Sequence, residues 1–557
     1  MLRSFSFAAA LLWGVSLFAQ IPTFKVRHGT SGDDEARFVT VLPDNGFIVA
    51  GSSTGGGLGG VDAMLTKFDA SGNVAWSKSF GGSGTDVFTH ILDCSDGNYI
   101  AYGETNSYGA GGVDLFLVKF DPSGNAIWTR TCGGSNAETA SGGVCEVADG
   151  YVVSGSTQSF GAGFWDIFVE KLDLNGNSLW SKSWGTGGGD GGGEPLPAGN
   201  GDVWVSGAYY VTGSNHDALL LRINSSGTLV SARRIGGGGN EGGEYLAFGG
   251  AGLVASSHTW TYSNGSQIQP WLLSYNTSGN FVWGKRYILP TGNYFNNVED
   301  CPDGGFVFAL YSYFTETSEA YLVKTDANGN LEWAKAHPYD GSGRLRHARP
   351  CPDGGFVAVG FASGNGRDLF ILKTDSNGNV AGCCPTDASV TVQTITPSSP
   401  TISPSTSNGP SASSPSIQSQ PVSLTEVNLC NSGGCCLTEA GTMLAETLTV
   451  CANQPAAFTH NGDEVLESGD LLQFILYTNP ANPLGSIVAI GNTPEFTFDP
   501  AIMQTGTTYY VAAIAGDNVG GNVNLNDPCL DVSNAAQLIW RALPEVSFAV
   551  NNADVCP

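Results

Sequence analysis

The feature that most constrains this chain is a turn, Asp-x-x-Gly-Asn, that returns at a nearly fixed interval. Its glycine falls at Gly72, Gly124, Gly176, Gly227, Gly279, Gly329 and Gly378, in steps of 52, 52, 51, 52, 50 and 49 residues. A period near 50 marks a repeat architecture. In the second copy, Asp114 to Trp128, the β-rich run Phe116-Leu-Val118 leads into the turn. The turn glycine tolerates positive φ, and Ala126-Ile-Trp128 then resumes an extended pattern, which reads as a β-hairpin. Ser95-Asp-Gly-Asn98, Pro302-Asp-Gly-Gly305 and Pro352-Asp-Gly-Gly355 mark a second hairpin in the repeat. Four strands in each of seven copies predict an all-β, seven-bladed β-propeller over residues 22–382. The coils of a stacked solenoid repeat every 20 to 30 residues, too short for this period.

The ends of the array predict how the ring closes. It opens on a lone strand, Phe24-Lys-Val-Arg27, and stops just after the seventh turn at Val380. The first strand is therefore expected to supply the outer edge that the last blade lacks, leaving fewer open edges.

The full pattern is Asp-x-Phe/Leu-Leu-x-Lys-x-Asp-x-x-Gly-Asn, then Trp, then Gly-Gly-Ser-Gly-x-Asp (Gly81 to Asp86). It resembles the bacterial seven-bladed β-propeller repeat family across residues 22–382. The fifth copy departs from it, with Gln269, Ser274 and Asn276 in place of the acid, lysine and turn Asp, and the fourth has Ser231 for the Trp. The resemblance implies an extracellular protein of this fold, and says more about fold than about activity.

Residues 1–19 carry Arg3 and an apolar run from Phe5 to Phe18, the pattern of a secretory signal peptide too short for a membrane span. No later run approaches transmembrane length, so no transmembrane segment is expected in a secreted or surface-attached chain. Residues 383–424, rich in Ser, Thr and Pro, read as an extended linker or stalk, because so little apolar content cannot offset ordering entropy. Short β-like runs such as Leu472 to Tyr477 and Tyr509 to Ile514 predict an immunoglobulin- or fibronectin-like β-sandwich over 425–546. That region resembles modules of surface proteins exported by the type IX route. Asp554-Val-Cys-Pro557 echoes Thr449-Val-Cys-Ala452, so 547–557 reads as the start of a further module.

A net charge of −27 argues against nucleic acid as a partner. Nine of the ten lysines fall in two repeat columns, Lys67/119/171/324/373 and Lys78/182/285/335, so the basic residues are mostly framework. Thirteen cysteines suit an oxidising compartment, with disulfides expected in the C-terminal module. Cys94, Cys301 and Cys351 share a blade column as small hydrophobes, and Cys132 with Cys145 is the best candidate blade pair.

No triad, catalytic metal spacing or other catalytic constellation stands out, and no cofactor is implied. The Asp-x-x-Gly-Asn turns resemble calcium loops only superficially, lacking the later bidentate Glu. Two acidic columns are more informative. One is Asp62, Asp114, Asp166, Asp217, Gln269, Glu319 and Asp368; the other is Asp34, Asp86, Glu138, Asp190 and Glu241. Both are expected on the face that carries the long loops, where they either bond to loop amides or hold Ca²⁺. For calcium the named candidates are Asp62, Asp114, Asp166, Asp217, Asp34, Asp86 and Asp190.

The same loops hold aromatics: Tyr108, Phe160, Trp165, Tyr209, Tyr210, Trp260, Tyr262 and Tyr313 are the candidate ligand-binding residues. Trp165 and Trp260 lead, because neither belongs to the repeating Trp76/Trp128/Trp180 column. The reading is a non-enzymatic binding or adhesion protein for an extracellular glycan or protein. The alternatives are a carbohydrate-active hydrolase or lyase, or a purely structural surface protein.

Overall fold

The computed structural model describes residues 22–543, apart from 214, 244, 251, 262–267, 290–292, 296, 313–318, 339–342, 365, 382, 384, 431–439, 467–469, 481 and 526–529. The signal-peptide, Tyr262, Tyr313 and 547–557 expectations lie outside these residues. The chain divides into two compact units, Met1–Leu429 and Cys430–Pro557. Among the described residues no helix is long and apolar enough to cross a membrane.

The first unit is a seven-bladed propeller. Blade 2 shows the pattern, with strands Asp86–Asp93, Tyr99–Thr105, Asp114–Phe120 and Ala126–Cys132 hydrogen-bonded in order from the inside outward. Each strand is antiparallel to the next. Blade 7 is built from both ends of the array: Gly343–Pro350, Phe356–Gly364 and Gly366–Thr374 are joined by Phe24–Gly29, in the register Val26 opposite Ile371. The ring closes as its ends predict.

The repeat columns hold one blade to the next. Asp121 Oδ1 accepts the backbone N–H groups of Ser123 and Asn125 (both 2.9 Å), and Asn125 Nδ2 donates to Oδ2 (2.9 Å), so the turn is a self-contained Asx structure. From the preceding blade, Trp76 Nε1 donates to Pro122 O (3.2 Å) and Lys78 Nζ to Ser123 O (2.9 Å). The other lysine column pairs with the Asp of the Asp-Gly hairpin, as Lys171 does with Asp149 (2.7 Å) and Lys373 with Asp353 (2.9 Å).

Residues 386–428 do not stand away from the propeller. Having finished blade 7, the chain turns back and runs around the whole ring in the opposite sense, against the outer strand of each blade in turn. It meets blade 6 at Thr386–Asp387, blade 5 at Thr391–Ile395 and blade 4 through Ser398 and Thr401. It continues along blade 3 at Ser405–Asn408, blade 2 through Ser413, blade 1 at Gln418–Pro421 and blade 7 at Thr425–Asn428. The N–H groups of Ala388, Ile402, Gly409, Val422 and Leu429 donate to Ala334, Ala232, Ser181, Ser77 and Lys25, one repeat column. Ile395 lies opposite Gly284 in that same column. Neighbouring blades are thus met seven residues apart from 388 to 409 and again from 422 to 429, a span of about 23 Å for extended chain.

Composition suits this belt, although it suggested a stalk. Its hydroxyls pair with hydroxyls of the blades, Ser407 with Ser183 (2.7 Å) and Ser413 with Thr131 (2.6 Å). Sparse apolar residues enter the inter-blade cores: Val390, Ile402, Ala412, Ile417 and Val422 each pack on a different cluster. Prolines such as Pro404, Pro410 and Pro421 lack the N–H that a further strand would need, which blunts the outermost edge. The entropy argument for a stalk fails because the blades supply the burial that the segment cannot supply for itself.

In the second unit, a seven-stranded sheet runs in the order Thr447–Cys451, Ala536–Arg541, Thr508–Val519, Asp470–Tyr477 and Ile487–Gly491, the first pair parallel, with the short strands Asn522–Val523 and Asp531–Val532 also paired to Thr508–Val519. One face packs Phe474, Val511, Leu538 and Trp540; the other packs Ile475, Ala512 and Ile514.

Cys383, Cys430 and Cys451 are disulfide-bonded, whereas the five described blade cysteines are free and buried. The expected Cys132–Cys145 pair is not formed, and the two thiols sit in different inter-blade cores.

Candidate functional site

The loop face is built on carboxylates that organise backbone. In the second acidic column each acid accepts the N–H four residues earlier: Asp34 from Thr30 (2.6 Å), Asp86 from Gly82 (2.9 Å), Glu138 from Gly134 (2.8 Å), Asp190 from Thr186 (2.6 Å) and Glu241 from Gly237 (3.2 Å). On Asp86, Glu138 and Glu241 a threonine at the end of the second strand completes the cap, as Thr157 Oγ1 does on Glu138 (2.6 Å). The first column acts similarly on the preceding loop. Asp62 accepts from Leu58 N (2.5 Å), Asp114 from Ala110 N (3.0 Å) and Asp166 from Gly163 N (3.1 Å). Asp217 pairs with Arg234 (3.0 Å) and Asp368 with Arg27 (2.9 Å).

The two columns meet. A Cβ on Gly133 would lie 1.7 Å from Asp114 Oδ1 and 2.4 Å from Glu138 Oε2, and one on Gly81 would lie 2.6 Å from Asp62 Oδ1 and 2.5 Å from Asp86 Oδ2. This explains the first glycine of the Gly-Gly-Ser-Gly-x-Asp motif. Burial, with Glu138 beside it, pushes the Asp114 carboxyl up to about 6, and burial beside Glu241 does the same to Asp217. In Asp34, Asp62, Asp114 and Asp166 one oxygen takes these loop donors while the other, Oδ1, is buried without a hydrogen-bond partner among the described residues. Among the described residues no group of three or more His, Cys, Asp or Glu is arranged to hold a metal ion.

Above blades 3 to 5 the loop face opens into a cavity of about 890 Å³, within the range of small-ligand sites. Its aromatic lining is Phe164, Trp165, Tyr210 and Tyr245, joined by His216 and His258. Phe164 meets Trp165 edge to face at 6.3 Å, and Tyr210 meets His216 the same way at 5.9 Å. Phe164 is 71% exposed. Hydroxyls of Thr139, Ser141 and Ser156 and the glycines 189, 191, 192, 242 and 243 complete much of the wall.

Of the sequence candidates among the described residues, the cavity brings together Trp165, Tyr210 and Asp190. Tyr108 donates to Gly81 O (2.7 Å) and Phe160 covers Gly134, so both close seams between blades. Tyr209 packs on the core shared by blades 3 and 4. Trp260 donates its backbone N–H to Asn240 O (3.1 Å) at the cavity rim, but its side chain is not part of the lining. Sequence reasoning missed Phe164, Tyr245, His216 and His258. Only Phe164, adjacent to Trp165, carried a signal that could have found it.

No protein-family profile matches the chain, and no curated protein matches it by sequence. Similar solved structures include the periplasmic gluconolactonase of Pseudomonas aeruginosa, at 12% identity over 66% of this chain and 100% of that one, TM-score 0.39. Another is the β-propeller domain of the Trilobed protease of Pyrococcus furiosus, described as having an open velcro topology, at 8% identity over 62% and 95%, TM-score 0.37. A third is an endo-1,5-α-L-arabinanase of Thermotoga petrophila, at 12% identity over 63% and 99%, TM-score 0.24. Likenesses this distant carry no argument about activity.

Proposed function

We propose that this is a secreted or surface-attached, non-enzymatic binding protein that takes a carbohydrate in the cavity on the loop face. One observation carries the reading: among the described residues, both carboxylates that line the cavity have each of their oxygens bonded to loop donors. Asp190 accepts Thr186 N (2.6 Å), Thr186 Oγ1 (2.8 Å) and Tyr210 N (2.8 Å). Glu241 accepts Gly237 N (3.2 Å), Thr259 Oγ1 (3.1 Å), Thr261 N (3.1 Å) and the Thr261 hydroxyl. Carboxylates committed in this way shape loops; they are poorly placed to donate or abstract protons. Aromatic faces beside fixed polar groups are the usual equipment for stacking a sugar ring.

The C-terminal unit is proposed as an immunoglobulin-like module. Tyr509 supports this: its hydroxyl accepts Gln504 N–H (2.7 Å) and its ring packs 5.6 Å from Trp540, a tyrosine-corner arrangement. Export by the type IX route rests on resemblance alone. Detection of the chain cleaved near Ala19 in culture medium would test secretion.

The binding reading is tested by screening the mature chain against arrayed glycans and matrix proteins, beside Trp165→Ala. Binding to glycans that the substitution abolishes is the expected result. Turnover of an arrayed glycan, or binding indifferent to Trp165, would count against it.

A further inference from the structure

We infer that the cavity is built for an uncharged, hydroxyl-rich sugar and discriminates against acidic ones such as uronates or sialylated glycans. This rests on the carbohydrate reading above and narrows it to a ligand class.

The charge inventory of the lining is the first ground. Among the described lining residues there is no lysine or arginine, the side chains whose bidentate or point-charge contacts most often hold a carboxylate. Among the described lining residues the acids are Asp190 and Glu241 and the imidazoles His216 and His258. Both carboxylates are consumed by loop donors, as described, and would repel an anion entering beside them. His216 turns Nε2 to Gly189 O (2.8 Å), and burial pushes the His258 imidazole down to about 4, so it adds no positive charge at neutral pH. An acidic sugar would lose hydration for its carboxylate and find no lysine or arginine among the described lining residues in exchange.

What remains suits hydroxyl groups. Ser141 Oγ and Ser156 Oγ lie 2.7 Å apart, and Ser156 also accepts Gly192 N–H (3.0 Å), which fixes a small hydroxyl cluster on the wall. Such groups both donate and accept, as sugar hydroxyls do. The glycine wall keeps the room for a ring. A Cβ on Gly189 would meet nothing within 4 Å, and one on Gly191 nothing nearer than 3.8 Å. Gly191 stands in the strand Gly191–Pro197 without a left-handed φ, so a side chain there would fill the cavity without straining the backbone.

The experiment titrates the full mature chain with neutral oligosaccharides and with size-matched uronate- or sialic-acid-bearing counterparts, at two ionic strengths. Phe164→Ala and Gly191→Val are measured in parallel, with melting temperatures. Phe164 is largely exposed and Gly191 has space, so both variants should fold. Expected are neutral ligands binding at least 10-fold more tightly than acidic ones, unaffected by salt, and at least 10-fold losses in both variants. Acidic ligands that bind equally well or better, still sensitive to Phe164→Ala, would overturn this inference and leave the carbohydrate reading standing. If no glycan of either kind binds, the carbohydrate reading falls and takes this inference with it.

Discussion

The indole of Trp76 lies against Gly124, the turn glycine of the neighbouring blade, so closely that a Cβ there would be 3.0 Å from Cη2 and Cζ3. Phe24 takes the same position over Gly72, and Trp128, Trp180, Trp204, Trp283 and Trp333 over later turn glycines. Gly124 also has φ +75°, a left-handed conformation that costs a residue with a Cβ about 1 kcal/mol. Gly124→Ala should therefore destabilise by about 2–3 kcal/mol. Gly97, with φ +78° and nothing within 4 Å, isolates the backbone part, so Gly97→Ala should cost only about 1 kcal/mol. Denaturant unfolding of the two variants gives the seam contribution by difference. Equal losses would mean that the ring contact adds nothing.

The column tryptophans lie at half-buried seams, not in the core. Trp184 is 1% exposed. Trp184→Ala should cost about 3–5 kcal/mol as a large-to-small core change, and Trp128→Ala visibly less. The reverse order in thermal melts would contradict this placement.

Ring closure and belt can be removed separately. Deleting residues 20–30 opens blade 7, and truncating after residue 382 strips the outermost strand from the blades. Each should lower stability by several kcal/mol and promote association through bare strand edges. A chain ending at 429 should remain monomeric with an intact melting transition. Light scattering and melting of the three truncations decide the matter, and a monomeric 20–382 fragment of unchanged stability would show the belt to be dispensable.

Acid–base behaviour should differ at one named site. Asp114 binds its proton more tightly folded (about 6) than at its ordinary 3.8. Its contribution is therefore fully present below about pH 4, declines between about 4 and 6, and stays lost above that range. Asp114→Asn removes this term, so variant and parent should converge in stability as pH falls from 7 to 4. Parallel stability–pH curves would rule out a raised Asp114 pKa.

Burial pushes the Cys94, Cys301 and Cys351 thiols up to about 12. At pH 8 these cysteines should resist alkylation in the native protein and react promptly in denaturant. Mass spectrometry after a short iodoacetamide pulse reads the difference, and native labelling at Cys94 would contradict its burial.

The propeller was legible because its framework is periodic. Asp121, Lys78 and Trp76 do the same work in most blades, and identical work leaves identical residues at fixed spacing. The cavity was half legible. Trp165 stood out by departing from the tryptophan column, but Tyr245 comes from an inner strand and His258 from a second strand, with no local mark. Tyr108 and Phe160 looked like binding residues because a loop aromatic that closes a seam reads the same as one that awaits a ligand. The belt was misread for a related reason. Its period of seven is carried by residues as unlike as Ala388, Ile395 and Gly409, which share a backbone contact and no side-chain chemistry.

The belt also bears on how such a molecule can change over generations. Blades are duplicated or lost in units of about 50 residues, and a ring held only by its own ends could absorb such an event in one step. Here the circumference is counted twice, once by the blades and once, in the opposite direction, by a segment that advances about seven residues per blade. Gaining or losing a blade would leave that second count too short or too long by one interval. Blade number in this lineage should therefore be unusually resistant to drift, since two distant parts of the gene would have to change together.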